Sequence, residues 1–533
     1  MSWSRERSLE RIEKARASVP QHTVDVRTLD ANFIRDRRAE ASVLKAGGGR
    51  EQDPIFSVRP SEAVLVDGVH VYIQLLDFAN AMLEQGRETE AGHSRALGML
   101  HLDYSVSDRI AEHFEAQRVD YHGSRMHAVI VTPAGPEGRR ERALKALAFA
   151  DALKRTVEEA SSASSGLQNY ATRVRIGLDS GLAVAVNSGR GSEPEPLFLG
   201  NPANYAAKLA DGDQPGIFAS DRVRAEAGLP LLRSGLLDEK LDPLSVVRLG
   251  QLGGGLSVPN VYALTDLEVR SAAADARQAL RSAPVFTYRQ FTPPLAPLLF
   301  DELSPSRSIR MPLASIFADI DGFTAYVSRC IAEQRTREMV ANLHVIRKEM
   351  AAVLRADFQG RKVRFIGDCL HGLVAEGTAY EVDEASTVKS AVHAAAGLRS
   401  SFDLCREVLP GIGELGLAIG IELGTTPITR LGLRGARSVR CAVSKAVSAS
   451  ERLQSLLDGR QTALGPRALA KTNTEVRRLF DDSGAASGLD YAVATRLQAP
   501  AIRRSPLTEG LVGSTAEANA APPVNKGGSN TFG

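Results

Sequence analysis

The sequence predicts an α+β fold in which one domain, with helices packed on a mostly antiparallel sheet, occurs twice. Short β-branched runs such as HAVIVTP and GLAIGIEL are typical of strands, whereas SRALGMLHLDYSVSDRIAEHFEAQ has the apolar period of a long helix. The same order of strands and helices occurs in both halves of the 533-residue chain. This indicates duplication of a whole domain, so we expect two domains arranged as a pseudo-dimer.

The two expected domains are flanked by segments of different composition. Residues 1–59 are interpreted as a charged helical extension, because their start is amphipathic and lacks the apolar core of a secretion signal. Residues 269–308 are expected to form a Pro-rich connector, since proline disfavours regular helix and central strand. Residues 501–533 lack apolar periodicity, which indicates a disordered tail. The two domains are therefore expected at 60–268 and 309–500.

The composition argues against two classes of partner. The chain has 65 Lys and Arg against 63 Asp and Glu, a formal charge of +2, so neither nucleic acid nor an anionic membrane is expected as a partner. No run approaches the roughly 18 apolar residues of a membrane helix. The four cysteines form no CxxC motif, which favours reduced thiols and a cytoplasmic protein.

Four pairs of motifs define the repeat. In chain order we align AVLVDGVHVY (63–72) with SIFADIDGFT (315–324), VDYHGSRMHAVIV (119–131) with VRFIGDCLHGLVA (363–375), RIGLDSG (175–181) with AIGIELG (418–424), and NYAAKLA (204–210) with SASERLQ (448–454). The first of these alignments makes Asp67 the counterpart of Asp319.

The stretch FADIDGFT raises the question of function. Asp319 and Asp321 end an apolar strand and are followed at once by Gly322. A solvated strand end and a cation site over a phosphate-binding turn both fit this fragment, and the residues alone leave the two interpretations open.

With FADIDGFT, VRFIGD, LAIGIELG and VSKAVSASERL in one order, the second copy resembles a class III nucleotide cyclase homology domain. The first copy is similar to the same family more weakly, through RIGLDSG and GNPANYAAKLA. The resemblance implies a groove between two such domains, two bound Mg²⁺ or Mn²⁺ ions, and conversion of a nucleoside triphosphate to a 3′,5′-cyclic nucleotide and pyrophosphate.

The resemblance assigns the metal half of the groove to the second copy. Asp319 and Asp368 match the two metal-binding aspartates, and Ile320 matches the residue that adds a backbone carbonyl ligand. The turn that would bring backbone N–H groups to the phosphates consists of Asp321, Gly322, Phe323 and Thr324.

The first copy has the complementary half. Ser124 stands where the family has its second metal aspartate, but Asn204 matches the asparagine that stabilises the transition state. Lys208 occupies the position of the family's arginine and keeps its charge. In the second copy Ser448 replaces the asparagine, so the resemblance implies one complete site and one degenerate site.

The base-reading positions of the first copy are Asp120 and Leu197, which differ from the residues that read adenine in this family. A carboxylate accepts hydrogen bonds, so Asp120 suits a base edge that donates, as in guanine or uracil. An alternative that the residues leave open is that Asp120 lies on the surface and that Tyr72 or Tyr121 holds the base.

The arrangement resembles the pyrimidine cyclases of bacterial antiphage signalling (Pycsar-type), which make cyclic UMP or cyclic CMP as second messengers. We therefore expect a nucleoside triphosphate as substrate, with UTP ahead of CTP, and a separate effector protein that reads the product. A homodimer is left open. The alternatives are a guanylate or adenylate cyclase, and an inactive pseudo-cyclase that senses nucleotides or acts as a scaffold.

Overall fold

The computed structural model describes residues 2–36, 39, 58, 61–162, 170–187, 196–232, 262–281, 285–432 and 438–496. Within these ranges the chain forms two sheets, each covered by long helices, with strand pairings that are mostly antiparallel. The α+β class and the duplicated, pseudo-dimeric arrangement are therefore confirmed. The expected tail at 501–533 lies outside the described residues. No helix in the described ranges is long and apolar enough to cross a bilayer.

The first unit is preceded by two N-terminal elements and ends with a long helix. Its elements are α1 (Arg5–Ser18), β1 (Asp25–Thr28), β2 (Glu62–Leu75), α2 (Phe78–Ala81), β3 (Leu83–Glu84), β4 (Arg87–Glu88), α3 (Glu90–His113), β5 (Gln117–His122), β6 (Arg125–Ile130), α4 (Arg139–Ala160), β7 (Val174–Asn187), β8 (Pro196–Leu199), α5 (Asn201–Ala210), β9 (Gly216–Ala219), α6 (Asp221–Ala227) and α7 (Asp266–Arg281). The sheet order is β5-β6-β2-β7-β8, with β1 parallel to β2 and β9 parallel to β7.

The second unit repeats this order. Its elements are β10 (Tyr288–Arg289), β11 (Ser308–Asp321), α8 (Phe323–Ala332), α9 (Thr336–Ala352), β12 (Arg361–Ile366), β13 (Cys369–Val374), α10 (Glu384–Val408), β14 (Gly416–Leu431), β15 (Val439–Ala442), α11 (Lys445–Ser455), β16 (Gln461–Leu464), α12 (Pro466–Ala470), α13 (Thr474–Arg477), β17 (Ala485–Ser487) and α14 (Tyr491–Arg496). The sheet order is β12-β13-β11-β14-β16-β17, and β10 and β15 pair with β11 and β14.

Strand register corrects the first alignment of the repeat. Ala318 on β11 pairs with Leu370 and Ile419. Ile73 on β2 pairs with the counterparts of those two residues, Met126 and Ile176. Ala318 and Ile73 are therefore equivalent, so the residue that follows each of them is equivalent as well.

The counterpart of Asp319 is consequently Gln74, and the proposed equivalence with Asp67 is wrong. The error has a physical cause, because a long strand with two-residue alternation fits a partner pattern in several registers. Asp67 lies seven residues before Gln74 on the same strand. Only the pairing with β6 and β7 fixes the choice.

Each unit packs the strand pair at its sheet edge against the other unit. The pairs are β7 with β8 in the first unit and β14 with β15 in the second. Val186 on β7 and Leu197 and Leu199 on β8 pack in one apolar cluster with Ile320 and Phe323 of the second unit. In return Leu431, Cys441 and Val443 pack with Tyr104 and Tyr121 of the first unit. This reciprocal burial fixes the relative position of the two sheets, and with it the grooves between them. All four cysteines are buried with free thiols.

The N-terminal helix α1 crosses to the second unit. Helix α1 packs on α9 and α10, where Arg11 pairs with the buried carboxylates of Glu349 and Asp357 at 2.7 and 2.8 Å. Strand β1 then joins the first sheet beside β2. The extension therefore contacts both units.

The expected boundary at residues 268/269 falls inside α7 and needs correction. This helix begins at Asp266 and packs on α3 and α4, so it belongs to the first unit rather than to the connector. In its described residues, 285–307, the proline-rich stretch that follows contains short helical turns at Phe300–Glu302 and Pro305–Arg307 and a two-residue strand.

Candidate active site

Two carboxylates converge at one end of the second sheet. Asp319 lies near the end of β11, and Asp368 lies in the two-residue turn that joins β12 to the neighbouring β13. Gly367, the other turn residue, has φ of +62°, a conformation that favours glycine at this position of a tight hairpin. The sequence-predicted metal pair is thus brought together, and the Ile320 side chain points into the core.

The electrostatics of this pair reflect burial and mutual repulsion. Burial, together with the nearby Asp321 charge, raises the pKa of Asp319 to about 6. Burial and the Asp319 charge raise the pKa of Asp368 well above its usual range. A cation between the carboxylates would relieve both effects. Gln454 on α11 donates to Asp319 Oδ2 at 3.2 Å, a contact that sequence reasoning missed because nothing in the repeat marks that position.

The turn after β11 leads directly into α8. Gly322 adopts φ of +80° at the helix start, and no side chain caps the first backbone N–H groups. The Asp321 carboxylate faces elsewhere, since its Oδ2 accepts from the Gly459 N–H at 3.0 Å. Phe323 is buried in the core, and Thr324 is half-buried at the groove. Uncapped backbone N–H groups at a helix start are suited to anions, and those of α8 follow directly after the strand that carries Asp319.

The first unit brings its complementary residues to the same groove. The side-chain amide of Asn204 on α5 donates to the hydroxyl of Thr324 on α8. Lys208 lies one turn further along α5, exposed, with its ammonium 5.6 Å from the centre of the Tyr205 ring. Asn204 therefore contacts the start of α8 across the interface, and Lys208 lies on the same side of α5.

The pseudo-symmetric groove has lost its metal half completely. Gln74 and Ser124 occupy the positions of Asp319 and Asp368, and the Gln74 amide donates to the Ser124 hydroxyl at 2.9 Å. Arg125 Nε in turn donates to Gln74 Oε1 at 2.7 Å. Two neutral side chains and an arginine cannot hold a divalent cation, so this groove is degenerate.

Polar side chains of both units meet in the degenerate groove. Glu451 Oε2 lies 3.3 Å from His122 Nε2, and Glu451 Oε1 lies 3.7 Å from Arg125 Nη1. His122 and Arg125 both belong to the first unit. Burial opposes ionisation of Glu451, but the His122 and Arg125 contacts prevail and lower its pKa to about 2. The small cavity that remains is lined by Phe78, His122, Gly123, Ser124, Arg125, Ala442, Val443, Val447, Ser448 and Glu451.

Asp67, which the sequence aligned with the metal position, instead forms two ion pairs within the first unit. Its Oδ2 accepts from Arg139 Nε at 2.9 Å and from Arg142 Nη2 at 3.0 Å. Two guanidinium groups neutralise the carboxylate, and the residue lies mid-strand, seven residues before Gln74. We conclude that Asp67 is a structural ion-pair residue.

The base-reading positions have different environments. The Leu197 side chain is buried in the apolar cluster at the interface. Asp120 is partly exposed and accepts from Arg364 Nη1 of the second unit at 2.6 Å. Sequence reasoning did not foresee this contact, although Asp120 and Arg364 are equivalent positions of the repeat and would meet on a two-fold axis.

The two alternative base contacts are also located. Tyr121 is buried, and its hydroxyl lies 3.0 Å from Asp108 Oδ1 and 3.1 Å from the Tyr104 carbonyl oxygen, either of which can accept its proton. Its hydroxyl is therefore engaged within the first unit. Tyr72 stacks on His127 with ring centres 4.2 Å apart, beside Asp120 on the same face of the sheet.

Comparison with known proteins agrees with this geometry. No protein-family model matches the chain. A uridylate cyclase of a Rhizobium species is 54% identical over 517 residues, which cover 95% of this chain and 97% of the relative. A uridylate cyclase of Pseudomonas aeruginosa is 36% identical over 508 residues, covering 93% and 91% of the two chains.

A solved structure covers nearly the whole molecule. The crystal structure of a class III adenylyl cyclase-like ATP-binding protein from Pseudomonas aeruginosa superposes with a TM-score of 0.81 at 35% identity, over 94% of this chain and 100% of the other. Two relatives of one function and a full-length structural match therefore agree, and this protein belongs to the uridylate cyclase family of class III nucleotide cyclases.

Proposed function

We propose that this chain converts UTP to 3′,5′-cyclic UMP and pyrophosphate in the groove between Asp319 and Asp368 of the second unit and Asn204 and Lys208 of the first. The observation that carries the proposal is the contact between Asn204 and Thr324, which joins the two half-sites in one chain. The names of the two near-full-length relatives support UTP as the substrate.

The residues of the groove fit two Mg²⁺ or Mn²⁺ ions. Asp319 and Asp368 offer hard carboxylate oxygens. Burial, and then a neighbouring carboxylate, raise the pKa of each, so a bound cation would stabilise their ionised forms. In the described ranges no group of three or more His, Cys, Asp or Glu side chains could hold a metal. Two carboxylates with the Ile320 carbonyl still suit Mg²⁺, which usually keeps water and substrate phosphate ligands. Bound metal would supply charge neutralisation and a lowered pKa for the 3′-hydroxyl.

The protein groups account for the remaining steps. The uncapped N–H groups at the start of α8 would bind the triphosphate. The 3′-oxygen then forms a bond to the α-phosphorus as the bond to pyrophosphate breaks, and the 3′-hydroxyl proton leaves to solvent. Asn204 and Lys208 would stabilise the charge that builds up on the α-phosphoryl oxygens and the leaving group.

The test is to incubate the purified full chain with ATP, GTP, CTP and UTP, each with Mg²⁺ and with Mn²⁺, and to identify products by mass spectrometry. We expect cyclic UMP and pyrophosphate, and no product from an Asp368→Asn variant. Formation of cyclic AMP or cyclic GMP alone would contradict the choice of substrate. Binding without turnover of any nucleotide would favour the pseudo-cyclase.

The cellular role remains part of the proposal. The family resemblance supports a role in antiphage defence. In this role the enzyme is cytoplasmic, and its product, cyclic UMP, activates a separate effector protein. It is tested by loss of phage protection in cells that carry the Asp368→Asn variant.

A further inference from the structure

The two units meet at an ion pair between equivalent positions of the repeat. Asp120 on β5 and Arg364 on β12 each lie three residues before the glycine of their hairpin turn, Gly123 and Gly367. Arg364 Nη1 donates to Asp120 Oδ1 at 2.6 Å. Equivalent residues of a two-fold repeat contact each other only near the axis, so the pair lies between the two grooves.

The Arg364 side chain is buried and held by several hydrogen bonds, whereas the Asp120 carboxylate is partly exposed to solvent. Arg364 is 7% exposed and also donates to the backbone carbonyls of Tyr121 and Arg440. The Asp120 side chain is 35% exposed. In the described part of the chain Arg364 is the one hydrogen-bond donor that we find on this carboxylate, and it binds Oδ1. The interface therefore holds an accessible acceptor beside a cationic donor.

This order of groups matches one class of base edge. Uracil presents N3–H as a donor beside the C4 carbonyl as an acceptor. Cytosine presents N3 as an acceptor beside its 4-amino donor, which is the reverse order, and adenine has the same reversed pattern. An acceptor next to a donor is therefore complementary to uracil, and also to the N1–H and C6 carbonyl of guanine.

We propose that Arg364, supplied by the unit that holds the metal carboxylates, is a specificity-determining residue, and that with Asp120 it reads the N3–H and C4 carbonyl of uracil. The inference rests on the proposed function, because it concerns the base of that substrate. It differs from the expectation based on sequence, in which the first unit alone supplied the base-reading residues.

The test removes the fixed order of acceptor and donor while keeping the side chains polar, because the amides of Asn and Gln can each donate and accept. The full chain with Asp120→Asn and Arg364→Gln is given equimolar UTP, CTP and GTP, and the product ratio is measured by mass spectrometry. A ratio of products does not depend on how much of the variant folds. We expect the ratio of cyclic UMP to cyclic CMP to fall about tenfold or more relative to the unaltered protein. The ratio of cyclic UMP to cyclic GMP should stay the same, because both bases share the edge.

A matched control removes a comparable pair elsewhere on β5. Arg118 pairs with the buried Asp108 of α3 at 2.9 Å, within the first unit. The double variant Asp108→Asn and Arg118→Gln should lower stability and leave the product ratios unchanged. If the double variant at Asp120 and Arg364 yields no product, the ratio of UTP to CTP affinities, measured by titration calorimetry, replaces the product ratio.

The outcomes separate the two proposals. If the unaltered chain makes cyclic UMP and the Asp120 and Arg364 variant keeps its preference for UTP over CTP, the specificity role of Arg364 is overturned and the pair is only an interface contact. If the unaltered chain makes no cyclic pyrimidine, the proposed function itself fails.

Discussion

The side-chain amide of Asn204, on α5 of the first unit, donates to the hydroxyl of Thr324 at the start of α8 in the second unit. This contact brings a helix that carries Lys208 against the turn that follows Asp319. The pseudo-symmetric positions hold Ser448 and the hydrogen-bonded Gln74–Ser124 pair. One of the two grooves therefore combines Asp319 and Asp368 with Asn204 and Lys208, and the other has Gln74 and Ser124 in place of the two aspartates.

Asn204→Ala is expected to lower kcat on the order of 100-fold with little change in KM, because the lost donor acts on charge that develops in the transition state. Steady-state pyrophosphate release from UTP measures both constants. Ser448→Ala is the matched control at the equivalent position of α11, and it should leave both constants unchanged. A rise in KM with unchanged kcat for Asn204→Ala would instead assign this residue to ground-state binding.

Asp368→Asn is expected to weaken Mn²⁺ binding by more than the roughly 10- to 100-fold typical of losing a residue that only supports a ligand. Electron paramagnetic resonance of free Mn²⁺ measures this without turnover. The counterpart Ser124→Ala should bind Mn²⁺ as the unaltered protein does. Equal Mn²⁺ affinity in the Asp368 variant would remove Asp368 from the metal site.

Asp103→Asn is expected to stabilise the protein increasingly as the pH rises. Asp103 on α3 is 3% exposed and its Oδ1 has no partner in the described part of the chain. Burial and the nearby Asp108 charge raise its pKa from 3.8 to about 7. Between these values the folded state holds a proton that the unfolded state has released, so the free energy of unfolding falls as the pH rises.

Urea denaturation of the variant and of the unaltered protein at pH 5 and pH 8 tests this prediction. The difference between their free energies of unfolding cancels the effect of groups that titrate in both proteins. The free energy of unfolding of the variant, relative to that of the unaltered protein, should be higher at pH 8 than at pH 5, on the order of a few kcal/mol. A difference that is the same at both pH values would mean that Asp103 is not the titrating group.

Arg11→Ala is expected to lower the free energy of unfolding by about 3–5 kcal/mol, because it removes the guanidinium that pairs with two buried carboxylates. Among the described residues, Asp357 would keep only the longer pair with Arg7, at 3.3 Å. The side chains of Glu349 and Asp357 are only 1% and 3% exposed. Chemical denaturation measures the loss. Arg16→Ala, which breaks an exposed pair with Glu13, should cost less than about 1 kcal/mol. Equal small losses in both variants would show that α1 contributes little to stability.

Short motifs of distinctive chemistry could be predicted from the sequence. The glycines at hairpin turns, the Asp319 and Asp368 carboxylates and the Asn204 helix stand at fixed places in the repeat, so their approximate positions follow from local pattern. The long apolar strand β2 could not be aligned in this way, because its alternation fits several registers, and Asp67 was therefore placed where Gln74 belongs.

Contacts between the two units could not be predicted from the sequence either. The pairing of Asp120 with Arg364 and of Arg11 with Glu349 depends on how two sheets pack, which no local pattern encodes. The end of the first unit was misplaced for a related reason, since α7 belongs to it through packing on α3 and α4 rather than through composition.

The most direct test of the shared groove mixes two variants of the full chain that are impaired on opposite sides of it. One variant carries Asp368→Asn and has an intact Asn204, and the other carries Asn204→Ala and has an intact Asp368. If the groove forms within one chain, as the Asn204–Thr324 contact indicates, the mixture should form cyclic UMP no faster than the two variants alone. Recovery of a substantial part of the activity on mixing would contradict the account, because it would require half-sites from two different chains.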